Sequence, residues 1–237
     1  MAVLNMIAAN NWERPIYIDH SLVYTGNVHI LDYLQFEGLA YRFVPIKTPK
    51  RGMIAGRIDS DILYDNVMNK FVWGDVNNPE IHMDEYNRKQ INIMQARLMF
   101  SRLAEALINE SNSEKDESKK QKAIEVLDKL FELFPDEKVP LTYDSFQAVE
   151  QYYRVGAMEK GNEIIRKLAK NSFGLLEYYT TLPENFVSSV EGEQNREMSH
   201  LRNMLIITNN YKQQELNKEL DVQLQALMKK LSPKVDS

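Results

Sequence analysis

Few residues of this sequence fall into patterns that are typical of catalysis. Because the chain has no cysteine, thiolate metal sites and a cysteine nucleophile are excluded. A phosphate-binding glycine loop and a Gly-x-Ser-x-Gly elbow are also missing. The four histidines are scattered and lack the His-x-x-x-His spacing of zinc sites; they are His20, His29, His82 and His200. We therefore predict no catalytic residue, no metal site and no cofactor.

Acidic residues offer two further kinds of chemistry. Asp59, Asp61 and Asp65 could form a metal-binding cluster of the calcium-loop kind. However, Tyr64 and Lys70 stand where that loop needs a glycine and a bidentate glutamate, so a metal site is not favoured. A pair of carboxylates for glycoside chemistry is an open alternative, because the distance between two such groups is decided only in three dimensions.

Aromatic side chains near the start of the chain suggest ligand binding instead. Trp12, Tyr17, Tyr41 and Trp73 would stack on sugar rings if they were exposed, and Arg14 lies beside the first of them. The structural alternative is that these rings pack in a core. We take these five residues as the candidate ligand-binding set.

Charge and hydropathy exclude other classes of protein. The chain of 237 residues has 29 Lys+Arg and 34 Asp+Glu, which gives a net charge of −5. Such mild acidity argues against a nucleic-acid or anionic-lipid surface. No apolar run reaches the roughly 18 to 20 residues of a membrane span, so we expect this chain to be soluble.

The elements that must position the aromatic residues are short. The pattern predicts a helix over residues 3–10, a strand over 15–18, a helical turn over 27–34, a strand over 39–46 and an amphipathic helix over 59–68. Together they form a small α/β subdomain, which we assign to residues 1–87.

The sequence changes character after residue 87, where Leu, Ala, Glu and Lys dominate. Helices are predicted from 84 to about 109 and again from 122, with a polar loop over 109–121 between them. A long terminal helix is predicted over 193–231. The fold class is therefore mainly α: the small α/β subdomain is followed by a helical subdomain at 88–237.

One predicted helix resembles the second helix of a tetratricopeptide repeat. Ala123 is followed by large apolar residues at +4 and +7, Leu127 and Leu130, and by Pro135 at +12. In such a repeat, the small residue packs closely on the first helix and the proline ends the unit. We therefore predict tetratricopeptide-like stacking in the helical subdomain.

A second, more degenerate copy of this pattern follows. Gly161, Ile165 and Leu168 occupy the small, large and large positions, but Phe173 stands where the proline would be. Helix packing alone explains these residues, and a concave face that binds a peptide is the functional alternative. The terminal helix also has two interpretations: it caps the stack of helices, or it contacts another subunit.

Three segments resemble a known family. They are residues 10–17 (NNWERPIY), 32–45 (DYLQFEGLAYRFVP) and 65–74 (DNVMNKFVWG). This chain is similar over its whole length to the C-terminal soluble region of a bacterial family of multi-pass membrane proteins, domain of unknown function 2723. Members of that family are related to protein O-mannosyltransferases that use lipid-linked sugars.

The resemblance implies that this chain is the soluble part of a larger membrane protein. The catalytic acid of such transferases is expected on a loop near the first membrane spans, so no catalytic residue is assigned here. A periplasmic location is implied, with attachment to the inner membrane. The implied partners are the membrane-spanning half and an acceptor or partner protein. Our leading hypothesis is a non-catalytic interaction and positioning module, and the alternative is glycan or lipid-linked-sugar binding by the aromatic residues.

Overall fold

The protein is mainly α-helical and begins with a small sheet, as the sequence predicted. The structure is a computed structural model that describes residues 2–20, 23, 30–47, 56–88 and 92–231. Eight α-helices and four short strands lie within these ranges.

The chain divides into two compact units that are discontinuous in sequence. Unit 1 contains Met1–Gly74 and Arg102–Val126, and unit 2 contains Asp75–Ser101 and Leu127–Ser237. The predicted boundary at residue 87 falls inside unit 2. This division differs from the predicted subdomains because part of the helical sequence belongs to the same unit as the sheet.

Unit 1 contains a four-stranded sheet with the order β1-β3-β2-β4. Strand β3 is antiparallel to β1 and β2, and β4 is parallel to β2. The helix preceding the sheet and the helix following it were both predicted, and the second continues into a π-helical turn. The elements are α1 (Ala2–Asn10), β1 (Tyr17–Ile18), β2 (Leu34–Phe36), β3 (Tyr41–Phe43), β4 (Arg57–Ile58), α2 (Ser60–Asp65) and the π turn (Asn66–Lys70).

Strand β2 was not predicted. Residues 27–34 were assigned to a helical turn, and only its last part is described, as a 3₁₀ turn at Leu31–Tyr33 that leads into the strand. The hairpin to β3 closes where the Glu37 amide donates to the Ala40 carbonyl at 3.2 Å, and Gly38 there has φ +112°. A left-handed backbone favours glycine, which explains why the chain turns at this point.

The predicted polar loop over 109–121 is wrong. Helix α3 (Asn92–Glu114) and helix α4 (Glu117–Leu133) are separated by two residues only. The hydroxyl of Ser111 donates to the Asp116 carbonyl at 2.7 Å, and Lys115 has φ +58°. Most of the Ser, Glu and Lys residues that suggested a loop are instead exposed positions of the two helix ends, whereas Ser111 is buried, so polarity alone was misleading.

Unit 2 is built mainly from four consecutive helices. They are α5 (Phe146–Arg154), α6 (Met158–Tyr179), α7 (Glu184–Asn210) and α8 (Gln214–Leu231). Short connections make consecutive helices antiparallel neighbours. The expected single terminal helix is therefore two helices, since the chain turns at Tyr211–Gln213, where Lys212 has φ +59° and the Gln213 amide donates to the Thr208 carbonyl at 2.8 Å.

The core of unit 2 follows the helical periodicity of the sequence. Its apolar residues are almost fully buried and recur at three- and four-residue steps. They include Val149, Tyr152, Tyr153, Ile165, Leu168, Leu176, Leu201, Met204, Leu216, Leu220, Leu224 and Leu227.

Candidate functional site

The turn after α1 holds its backbone in an unusual conformation. Asn11 and Trp12 have φ values of +46° and +62°, in the left-handed region that residues other than glycine rarely adopt. Two hydrogen bonds close the turn: the Glu13 amide donates to the Asn10 carbonyl at 2.9 Å, and the Asn10 side chain donates to the Arg14 carbonyl at 2.7 Å. Such conformations cost free energy and persist where surrounding contacts impose them.

The consequence of this turn is that Trp12 is held partly open to solvent. Its indole stacks on Phe43 with ring centroids 5.4 Å apart and an interplanar angle of 10°. Tyr33 lies against the same Phe43 ring at 6.2 Å. The stack fixes one face of the indole, yet Trp12 is 53% exposed, so another ring or apolar group has room to stack on it.

Tyr17 takes part in a polar network around a buried carboxylate. Its hydroxyl donates to Glu37 at 2.8 Å, and the Gln35 side-chain amide donates to the other carboxylate oxygen at 2.8 Å. The Arg42 guanidinium lies 3.7 Å from Glu37. The hydrogen bond to Glu37, followed by burial, raises the pKa of Tyr17. The Tyr17 hydroxyl is therefore committed to Glu37, while its ring remains half exposed.

Tyr41 is completely buried, so its ring offers no surface to a ligand. It packs against Phe36 and against His20, whose ring centroid is 4.7 Å away. Burial, and then the positive charge of Arg102, lower the pKa of His20. Sugar stacking by Tyr41 is excluded by this position, because the residue belongs to the core of the sheet.

Trp73 lies at some distance along the chain from the sheet and is half buried. Its indole nitrogen donates to the Val67 carbonyl at 3.3 Å, and its ring meets Phe71 edge-on at 6.0 Å. Arg14 is exposed, and its carbonyl accepts the hydrogen bond that closes the turn.

The sheet separates the predicted aromatic residues. Tyr17 pairs with Arg42, and Phe43 is the next residue on β3. Because neighbouring side chains of a strand point to opposite faces, Tyr17 and the Trp12–Phe43 stack lie on opposite faces of the sheet. The five candidates therefore do not form one site.

The sequence did not reveal the residues that position Trp12 and Tyr17, which are Phe43 and Glu37. Glu37 was quoted only as part of a family motif, and Phe43 only as part of that motif and of the predicted strand over 39–46. Alternation along the strand pair was the signal that could have found them, since Arg42 and Gln35 share one face and Tyr41 and Phe36 share the other.

The three aspartates considered for a metal serve the helix they begin. Asp59 caps α2 by accepting from the Ile62 amide at 3.2 Å. Asp65 pairs with Lys70 at 2.6 Å, and hydrogen bonds from Lys70 and Asn69 lower its pKa. Across the part of the chain that the structure describes, no group of three or more His, Asp or Glu residues is arranged to hold a metal ion.

The small residue predicted to allow close helix packing does so in unit 2. A Cβ atom placed on Gly161 would lie 2.5 Å from the Tyr153 ring. That ring is fixed, because the Tyr153 hydroxyl donates to Asn162 at 2.9 Å and Tyr211 packs against it at 4.9 Å. Helices α5 and α6 therefore approach each other so closely at Gly161 that any side chain there would have to displace the Tyr153 ring.

Residues 1–62 match the family described as TMEM260-associated domain 2, a membrane-protein-associated family. Two of the three family-like segments, 10–17 and 32–45, lie inside the match. No curated protein and no solved structure matches the chain. None of the described helices is both long and apolar enough to cross a membrane. Relation to the multi-pass family and to tetratricopeptide repeats stays a prediction.

Proposed function

We propose that this chain is a non-catalytic interaction and positioning module of a membrane-bound, glycosyltransferase-like protein. In this proposal the module faces the periplasm and is attached to the inner membrane through that protein. The membrane-spanning half carries out the chemistry, and the module holds an acceptor or partner protein close to it. The match of residues 1–62 to a membrane-protein-associated domain is the observation that carries the proposal.

The free face of the Trp12 indole, which we call the Trp12 surface, supports this role. It lies within the matched segment and combines an exposed indole with a strained backbone. Strain of this kind is retained at binding sites more often than elsewhere. Exposed tryptophan is also among the residues that contribute most to protein interfaces.

A glycosyltransfer assay tests the proposal with the full-length membrane protein, with and without these 237 residues. We expect removal to reduce transfer to the acceptor or to change acceptor choice. In the intact protein, Trp12→Ala should reproduce part of that loss. Tyr86→Ala is the matched control, because Tyr86 is also an exposed aromatic residue but lies outside the matched segment. Unchanged transfer and acceptor choice after removal would refute the positioning role.

A second candidate function is glycan or lipid-linked-sugar binding by the aromatic surface. The free face of the Trp12 indole favours this function, whereas the burial of Tyr41 leaves fewer aromatic rings on which a sugar could stack. The chain has two tryptophans, so the variant Trp73→Phe leaves Trp12 as the only indole emitter. Titrating that variant with neutral oligosaccharides should give a saturable change in fluorescence. A flat response at millimolar sugar would rule this function out.

A further inference from the structure

A groove of about 470 Å³ runs between α6 and α8 of unit 2. Its volume falls within the roughly 300 to 1,000 Å³ of typical binding sites. Ala169, Phe173 and Leu220 supply its apolar lining. Ala169 and Leu220 are almost fully buried, while Phe173 is partly accessible, so the Phe173 ring is the main apolar surface that an occupant would meet.

Two ion pairs bound the groove. Arg166 lies 3.6 Å from Glu219, and Lys230 lies 3.0 Å from Glu177. Both pairs join residues with the same separation along the chain, which shows that α6 and α8 run parallel and in register. Arg166 and Glu177 are three helical turns apart, so the groove is about 16 Å long.

The middle of the groove is open because of a glycine. A Cβ atom placed on Gly174 would meet nothing within 4 Å. Arg166, Lys170 and Glu177 recur at helical spacing along the same side of α6, and Gly174 lies four residues after Lys170. An occupant therefore has most room beside Gly174, next to the accessible ring of Phe173.

The charge at the centre of the groove is positive. The ion pairs at the two ends are each neutral, whereas Lys170 forms no salt bridge to any described residue. The Lys170 ammonium lies beside the apolar ring of Phe173. An occupant that carries an acidic residue next to a large apolar residue would therefore complement the groove in both charge and polarity.

We propose that this groove binds a three-turn amphipathic helix of a partner protein. The helix places a large apolar residue against Phe173 and over Gly174, and an Asp or Glu opposite Lys170. A helix fits because the groove follows two parallel helices over three turns, which matches anchors at i, i+3 or i+4, and i+7. This inference rests on the proposed positioning function, for which it names the kind of partner.

The probe is a displayed library of amphipathic peptides about 16 residues long, which is four to five helical turns. Each peptide carries large apolar residues at helical spacing and one variable central position. The purified 237-residue chain is the target. We expect selected peptides to contain an acidic residue at the central position, and their affinity is then measured by fluorescence anisotropy.

Gly174→Leu is the blocking variant. It fills the groove, and it should not unfold the protein, because leucine is a better helix former than glycine. We expect it to weaken peptide binding about tenfold or more. Gly192→Leu is the matched control, since Gly192 is an exposed helical glycine of α7 with no atom within 4 Å of the added Cβ. This control should bind the peptide like the wild type.

Charge reversal tests the central contact. Lys170→Glu should weaken binding several-fold, and a peptide with lysine at its acidic position should restore it. Lys218→Glu, at an exposed position of α8, should have no effect. The inference is overturned if no selected peptide distinguishes wild type from Gly174→Leu. It is also overturned if light scattering shows that a second copy of the chain occupies the groove and that Gly174→Leu abolishes this dimer.

The two proposals fail in different ways. If Gly174→Leu blocks peptide binding but removal of the module leaves glycosyltransfer unchanged, the groove assignment stands and the positioning function is wrong. If removal of the module changes transfer but Gly174→Leu affects neither transfer nor peptide binding, the positioning function stands and the groove assignment is wrong.

Discussion

Unit 1 and unit 2 fix their side chains by different means. Unit 1 has strands of two or three residues and depends on particular contacts, such as Arg102 over the Phe36 ring at 4.5 Å and Glu37 between Tyr17 and Gln35. Unit 2 depends on apolar residues repeated at helical spacing. This difference indicates that helix packing built on many repeated apolar residues tolerates the loss of one contact, whereas the small sheet depends on each of its few contacts.

The largest expected effect is at the centre of unit 1. Phe36 is 1% exposed and contacts Tyr41, His20 and Arg102. We expect Phe36→Ala to lower the free energy of unfolding by about 3 to 5 kcal/mol, because it leaves a cavity and an uncovered guanidinium. Urea unfolding measures the change.

Leu168→Ala provides the comparison in unit 2. Leu168 is 2% exposed within regular helix packing, and its truncation should cost about 2 to 4 kcal/mol. A loss below about 1 kcal/mol for Phe36→Ala would contradict the view that unit 1 depends on single contacts.

The second prediction concerns the closest helix contact in unit 2. Gly161→Ala should destabilise the protein by about 1 to 3 kcal/mol, because the new methyl group meets the fixed Tyr153 ring at 2.5 Å. Gly174→Ala is the matched control and should stabilise by about 0.5 to 1 kcal/mol, since its Cβ meets nothing. Thermal unfolding distinguishes these opposite signs, and equal effects at both sites would refute the close contact.

The third prediction is a pH effect in unit 1. His20 has a lowered pKa in the folded state because of burial and the charge of Arg102, so the unfolded chain binds its proton more readily. This contribution to stability is complete above the ordinary histidine pKa of about 6.5 and is lost as pH falls below it. We expect His20→Gln to lose less stability than wild type between pH 7 and pH 5. Parallel urea-unfolding curves against pH would contradict this.

The smallest effects are expected at exposed ion pairs, and they should not distinguish the units. Lys70 pairs with Asp65 in unit 1 at 2.6 Å, and Lys167 pairs with Glu163 in unit 2 at 2.9 Å. Replacement of either lysine by methionine should leave the urea-unfolding midpoint almost unchanged, because water screens exposed pairs. A clear loss of stability at one site only would show an unrecognised role for that pair.

Prediction from sequence succeeded where periodicity or a local cap decides the structure. The helix at 59–68 was predicted from acids at its start, and Asp59 caps it. The small position at Gly161 was predicted from the resemblance to a tetratricopeptide helix, and it lies against Tyr153. In both cases the relevant neighbours are close in sequence, so a short window contains the information.

Prediction failed where distant contacts decide. Residues 109–121 resemble a loop by composition, but they form the ends of α3 and α4, and the hydroxyl of Ser60, fifty residues earlier, donates to Glu110 there at 2.6 Å. The long terminal helix is interrupted at Lys212, although no proline or glycine marks the turn. Helix ends of this kind depend on tertiary packing more than on propensity.

The sequence by itself determined the helical class, the small N-terminal α/β part and the small and large positions of the helices, because spacing along the chain fixes which residues share a face. Only the tertiary structure decided which of the candidate ligand-binding residues are exposed and which face of the sheet they share. Tyr41 is buried, Trp12 is exposed, and the sheet places Tyr17 on the face opposite the Trp12 stack. Aromatic residues are equally suited to a core and to a binding surface, so their role follows from strand register and from the surrounding contacts.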